Sequence, residues 1–148
     1  MRRNRRGLRI TPGLAPGTLR IPPDAQKPEI DVFGYGPDGF EEGPVADPAA
    51  LAALLGKWPV TWVNVVGLGD EATLHAVAQT FKLHRLALED VVDTGQRPKV
   101  EPFDQHLFIV LQHPNPDGQS EQIAMFVDAT SVLVFQERPG DCFTPLRE

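Results

Sequence analysis

Cysteine is nearly absent: Cys142 is the only one in 148 residues. That excludes an intrachain disulfide framework and any zinc site built from the cysteines of one chain. A reducing compartment fits this usage. Long hydrophobic runs are missing too. The longest, Ala49–Gly56 and Leu107–Leu111, fall far short of the roughly 18–20 apolar residues of a membrane helix. The start has no apolar stretch behind its arginines, so it does not read as a secretory signal. Positive charge is in deficit, with 14 Lys and Arg against 20 Asp and Glu and a net charge of −6. General nucleic-acid binding needs the reverse, a basic surface that displaces counterions. The exception is the cluster Arg2, Arg3, Arg5 and Arg6. It suits an anionic lipid surface or RNA, and equally plain solvation at a chain end.

What is present suits one domain behind a tail. Residues 1–27 carry Pro12, Pro16, Pro22 and Pro23 with Gly7, Gly13 and Gly17 among them, and read as a flexible basic, proline-rich arm. The domain is expected over residues 28–148. Ile30–Tyr35 and Phe40–Val45 read as two short strands about a glycine-rich turn. Asp47-Pro48 opens a short helix, with Asp as N-cap and Pro at its first position, and Gly56 ends it. Val60–Val66 is β-branched and apolar on both faces, as a central strand should be. Asp70 caps a helix whose Leu74, Val77, Ala78 and Phe81 recur at i, i+3, i+4, i+7. A second helix runs from about Arg85 to Asp93, with Gly95 beyond it. Gln96–Glu101 reads as a polar connector stiffened by Pro98, and Phe103–Gln112 as a buried strand. His113–Gln119 reads as a hairpin loop, and Gln122–Val127 and Val132–Gln136 as strands about the turn Asp128–Ser131. Phe143–Glu148 begins a helix. The expected fold class is α/β of the α+β kind, a mixed sheet sandwiched between helices.

Most candidate chemistry falls away on inspection. His75, His84, His106 and His113 have no i, i+4 pairing on one helix and read as ordinary surface or capping histidines. Gly67-x-Gly69 lies between a strand and a helix, but Ala72 replaces the third glycine of a dinucleotide fingerprint and Asp70 opposes a phosphate. Ser120 and Ser131 lie outside any nucleophile-elbow motif, so no enzyme is expected. Trp58 and Trp62 read as packing residues.

Glu89, Asp90 and Asp93 are more informative. They occupy the second half of a short helix, where the negative dipole end disfavours carboxylates by roughly 0.3–1 kcal/mol each. Glu89 and Asp93 also form a like-charge i, i+4 pair. Something positive should sit nearby: Arg97 or Lys99 as an ion-pair partner, or a hard divalent cation, which takes one or two carboxylates and keeps most of its waters. Adjacent Glu89 and Asp90 diverge by about 100° around a helix, so a tight ion needs a third acid from another element.

Five segments, in order, resemble the CorA-type magnesium/cobalt transporter family. They are Gly13–Leu19 with its Pro16-Gly17-Thr18, Thr61–Leu68, the stretch Phe81–Val91 continued by Gln96–Glu101, Phe108–Leu111, and Phe135–Asp141. The match extends from about residue 13 to the end. It implies the amino-terminal cytoplasmic domain of such a transporter, at the inner face of the cell membrane, assembling as a homopentamer. It implies that Glu89 and Asp90 contribute to an inter-subunit site for regulatory Mg2+, with Co2+ as an alternative ion, closed by acids of a neighbouring subunit. Magnesium there holds the channel shut. The stalk helix, both transmembrane helices and the Gly-Met-Asn pore signature are missing. The expectation is therefore a soluble fragment, monomeric or weakly oligomeric and binding Mg2+ only weakly, touching membrane only through segments it lacks, with one sheet face left open or used for dimerisation. The alternative is a soluble interaction protein from a truncated gene, with no ion role.

Overall fold

The computed structural model describes residues 15–140 and 143–147. The arginine cluster, Gly13, Leu14, Asp141, Cys142 and Glu148 lie outside the described residues. Strands β1 (Glu29–Gly36), β2 (Gly39–Pro44), β3 (Val60–Val66), β4 (Lys99–Phe103), β5 (His106–Pro114), β6 (Ser120–Val127) and β7 (Ser131–Gln136) form one sheet. Their spatial order is β2-β1-β3-β7-β6-β5-β4. Only β3 and β7 pair in parallel, and every other neighbour is antiparallel. The sheet is thus mixed, as expected, with β3 and β7 at its centre.

Helices follow their sequence signals. Asp47 accepts the Ala49 N–H at the start of a 3-10 turn, Pro48–Ala50, which runs into α1 (Leu51–Leu54). Asp70 accepts the Thr73 N–H and caps α2 (Glu71–Phe81), which buries Leu74, Val77, Ala78 and Phe81. His84 caps α3 (Arg85–Val92), which buries Ala87, Leu88, Val91 and Val92. These apolar faces join Val63, Val65, Phe108, Val110, Phe126, Leu133 and Phe135 in one core on one side of the sheet. Phe108 stacks on Phe126 at 4.6 Å between ring centres, inside the offset range such pairs favour.

Strand alternation sends the intervening residues to the other side. Register aligns Leu107, Val127, Val132 and Trp62 across that face. Phe143 meets Trp62 edge-on at 5.7 Å, and Arg147 of the one-turn α4 (Thr144–Arg147) lies over the same indole. Val100 and Leu107 on this side remain exposed.

Several boundaries differ from those expected. The expected connector Gln96–Glu101 contains the start of β4, because Lys99, Glu101 and Phe103 alternate with Val100 and Pro102. As an edge strand it tolerates Pro102. The expected strand Phe103–Gln112 is instead divided by the tight turn Asp104-Gln105, with Asp104 at φ 52, a left-handed position that Asp accepts. The β5–β6 loop is shorter than expected because β5 continues to Pro114. Residues 15–27 form no helix or strand. Yet Leu19 is buried in the core, so packing against the domain begins before residue 28.

Candidate functional site

Helix α3 presents its acids in three directions. Asp93 closes the helix by donating its N–H to the Glu89 carbonyl, while its own Oδ2 accepts from Gln96 Nε2 at 2.7 Å. Glu89 turns toward the amino-terminal segment and accepts the Gly17 N–H through Oε1. Asp90 faces β4, where Lys99 Nζ lies 2.6 Å from its Oδ2. The same ammonium lies 3.2 Å from Glu101 Oε2. Two carboxylates from different elements therefore converge on one positive charge. The Asp90 and Lys99 side chains keep about a quarter of their surface (27% and 23%).

Of the partners the local electrostatics demanded, the lysine is the one found on Asp90. Glu89 and Asp90 do not share a ligand position, as their angular separation implied. Among the described residues no group of three or more His, Cys, Asp or Glu is placed to hold a metal. Glu101 is the neighbour that helical reasoning missed. Its signal was the Lys99-x-Glu101 spacing, which puts both side chains on one strand face.

Partial burial by itself would lower the Lys99 pKa. Hydrogen bonds to Asp90 and Glu101, reinforced by their charges, outweigh it and raise the ammonium above the ordinary lysine value. The Lys99 ammonium lies over the Phe108 ring, its Nζ 5.5 Å from the ring centre. That contact ties the charge cluster to the core.

The amino-terminal segment is clamped against α3. Arg85 donates to the Pro16 carbonyl and Glu89 accepts from the next N–H. Gly17 has φ +94, and a Cβ there would collide with the Arg85 guanidinium. A single peptide unit is thus gripped by two α3 side chains one turn apart.

Behind Asp90 lies a second feature absent from the sequence reading. Gln122 of β6 is buried and donates Nε2 to the Asp90 carbonyl at 3.0 Å. The last carbonyls of a helix lack intrahelical donors, and a buried amide here supplies one. Only the burial of a glutamine on a strand's inner face hints at this from sequence, and burial itself was not visible there.

The other sequence candidates have structural roles. Gly69 donates its N–H to the Gln26 carbonyl at 2.7 Å, and a Cβ on Gly67 would meet the Lys27 carbonyl oxygen at 2.6 Å. The Gly67-x-Gly69 turn serves close approach of chain to chain. Trp58 donates to Glu41, and Trp62 packs on Phe33. His84 caps α3 through Nδ1. His106 is not a surface residue: it is buried against Phe126, its Nε2 3.7 Å from Asp128 Oδ2.

A seven-stranded mixed sheet with its core helices on one side defines an α+β domain. The CorA soluble domain from Methanocaldococcus jannaschii superposes with a TM-score of 0.53 at 13% identity, covering 72% of this chain and 39% of that one. The ZntB cytoplasmic domain from Vibrio parahaemolyticus superposes with a TM-score of 0.61 at 11% identity, covering 80% and 48%. These likenesses show the fold. Within that class, the description "CorA-like Mg2+ transporter protein" matches residues 59–147, and the chain belongs to that family. It is 35% identical over 142 residues to the cobalt/magnesium transport protein CorA of Thermotoga maritima. That match takes in 92% of this chain and 40% of the relative, so the chain spans well under half the length of that protein. Among the described residues no helix is long and apolar enough to cross a membrane.

Proposed function

We propose that this chain is the cation-sensing regulatory domain of a CorA-type magnesium transporter. The proposal places it at the cytoplasmic face of the cell membrane and joins it to further copies of itself, five in the assembly the resemblance implies. The observation that carries it is the convergence of Asp90 and Glu101 on a single cation, Lys99, in a chain of this family. Such a donor set suits a hard divalent ion, which accepts one or two carboxylates and keeps its remaining waters. Asp90 and Glu89, which face different neighbours within one copy, would each contribute to holding Mg2+, or Co2+ in its place, together with carboxylates of adjoining copies. The bound ion supplies positive charge that lets carboxylates of adjoining copies approach one another. Asp90 has its Oδ2 on Lys99. Glu89 is fixed by Gly17, which orients its carboxylate. Lys99 neutralises Asp90 when the ion is absent, so the two cations compete for one oxygen.

A second reading has its own support. Asp90 is already paired with Lys99 and Glu89 with the Gly17 N–H, as in a soluble interaction protein with no ion role. Titration with MgCl2 at constant ionic strength separates the two, read by amide NMR. The sensing reading expects saturable shifts at Asp90 and its neighbours, lost in Asp90→Asn. Equal responses in wild type and variant would leave only the interaction reading.

A further inference from the structure

We infer that Gln122 is a positioning residue that connects the Asp90 end of α3 to the chain leaving the sheet after β7. The inference rests on the cation-sensing reading of Asp90 and names how a change there is passed inward.

The side chain of Gln122 uses both ends of its amide. Nε2 donates to the Asp90 carbonyl at 3.0 Å and reaches the Val91 carbonyl at 3.5 Å. Oε1 accepts the Gln96 N–H at 3.2 Å, just past the helix. One planar group thus spans the last carbonyls of α3 and the turn that follows. Gln112, opposite it in register on β5, donates Nε2 to the Gln96 carbonyl at 3.1 Å and fixes that turn from a second side.

The backbone of Gln122 faces the other way. The β6–β7 ladder ends at the pair Ile123 and Gln136. Beyond it, carboxylates take over from main-chain acceptors. The Gln122 N–H donates to Glu137 Oε2 at 2.8 Å, and the Arg138 N–H donates to Glu121 Oε1 at 2.8 Å. Glu137 also meets the Thr94 side chain, two residues beyond α3. Gln122 is therefore bonded both to α3 and to Glu137, where the strand gives way to the exit segment, and Thr94, whose N–H reaches the Val92 carbonyl, touches both from the turn. Because it is buried, water cannot replace these bonds if the helix end shifts. The network has a stated input, the Asp90 carboxylate with its Lys99 partner. It has a stated output, the Glu137–Arg138 backbone. Both are needed before coupling can be claimed.

The test follows backbone amides and the Gln122 side-chain amide by 15N NMR during MgCl2 titration. Wild type should show Asp90, Gln122 Nε2, Glu137 and Arg138 shifting with one apparent affinity. Gln122→Met keeps the side-chain length without the amide. It should retain the Asp90 response at unchanged affinity and lose the Glu137 and Arg138 shifts. Persistence of those shifts in Gln122→Met overturns the inference while leaving the cation site intact. Silence at Asp90 in wild type overturns the sensing reading and this inference together. If Gln122→Met does not fold, the wild-type Gln122 Nε2 resonance decides, and an unmoved resonance overturns the inference.

Discussion

Lys99 carries two relationships that respond oppositely to its removal. Its ammonium neutralises Asp90 and Glu101, lies over the Phe108 ring, and competes with any other cation for Asp90. Lys99→Met keeps the stem and deletes the charge. Two carboxylates then face one another without a shared cation, at the end of a helix that already disfavours negative charge. Loss of the partly buried pair should lower stability by about 1 kcal/mol, seen as a lower urea midpoint at an unchanged m-value. The same substitution removes the competitor at Asp90 Oδ2. Magnesium should therefore bind Lys99→Met more tightly than wild type, and added magnesium should recover part of the lost stability by mass action. Calorimetric titration reads the first effect, and urea unfolding with and without MgCl2 reads the second. A variant destabilised without gaining magnesium affinity would make Lys99 a structural cation only. The demand for positive charge was legible in the spacing of Glu89, Asp90 and Asp93, and Lys99 was one of the two residues it nominated. Its sharing with Glu101 was not, because that depends on β4 lying alongside α3.

At the scale of elements, the helices were legible where a cap and a 3.6-residue period agreed. Asp70 and the stripe from Leu74 to Phe81 are one such case, and all four stripe residues are buried. Strand β3 was legible because β-branched residues on both faces signal a covered central position. β4 was not, since Pro98 and Pro102 flank or enter it and its charged residues mimic a loop. The polar inner face of β4 makes sense only once the acids of α3 are above it. The segment 15–27 was hidden for a related reason: its bonds are to α3 side chains and to the Gly69 N–H rather than to a ladder, so it carries no period. Gly17 is the point where that docking can be tested. Its φ of +94 is unfavourable for any residue with a Cβ, and the guanidinium of Arg85 fills the space. Gly17→Ala should cost about 1–2 kcal/mol through the backbone conformation alone, measured by urea denaturation. It should also speed exchange of the Gly17-site and Thr18 amides and loosen Glu89. Unchanged stability would mean that the segment can leave α3 without consequence for the fold.

The whole molecule is acidic, with a net charge of −6, so its stability on the acid side depends on which carboxylates the fold favours in charged form. Glu41 and Asp70, both screened by solvent, are held below their ordinary values by hydrogen bonds, and two partly buried groups pull in opposite directions. Asp128 sits in the turn before β7. Partial burial would raise its pKa, but the Thr130 N–H and the hydroxyl and N–H of Ser131 outweigh it, with His106 assisting, and hold it below the ordinary value of 3.8. Its folded form therefore prefers the charge. The stability this brings is fully present above the unfolded value and disappears as pH falls through the lower folded value. Glu137 behaves the other way. Burial raises its pKa above the ordinary 4.5, and the charge of Glu121 adds to this against the Gln122 N–H, Arg138 and Thr94. The folded form prefers the proton, so stability falls as pH rises from 4.5 through the raised value and levels off above it. Glu137→Gln keeps an acceptor for the Gln122 N–H and removes the desolvated charge. Urea unfolding across pH should show the variant more stable than wild type, relative to their difference at pH 4.5, once the pH exceeds the raised value. Asp128→Asn should flatten the loss below 3.8 and leave the Glu137 window unchanged, since the two groups sit at opposite ends of β7 and share no partner. Parallel curves for wild type and Glu137→Gln above pH 4.5 would show that Glu137 is charged at no cost. The carboxylate that ends the β6–β7 ladder would then be a solvated one, and the exit segment would be held by the backbone of Arg138 instead.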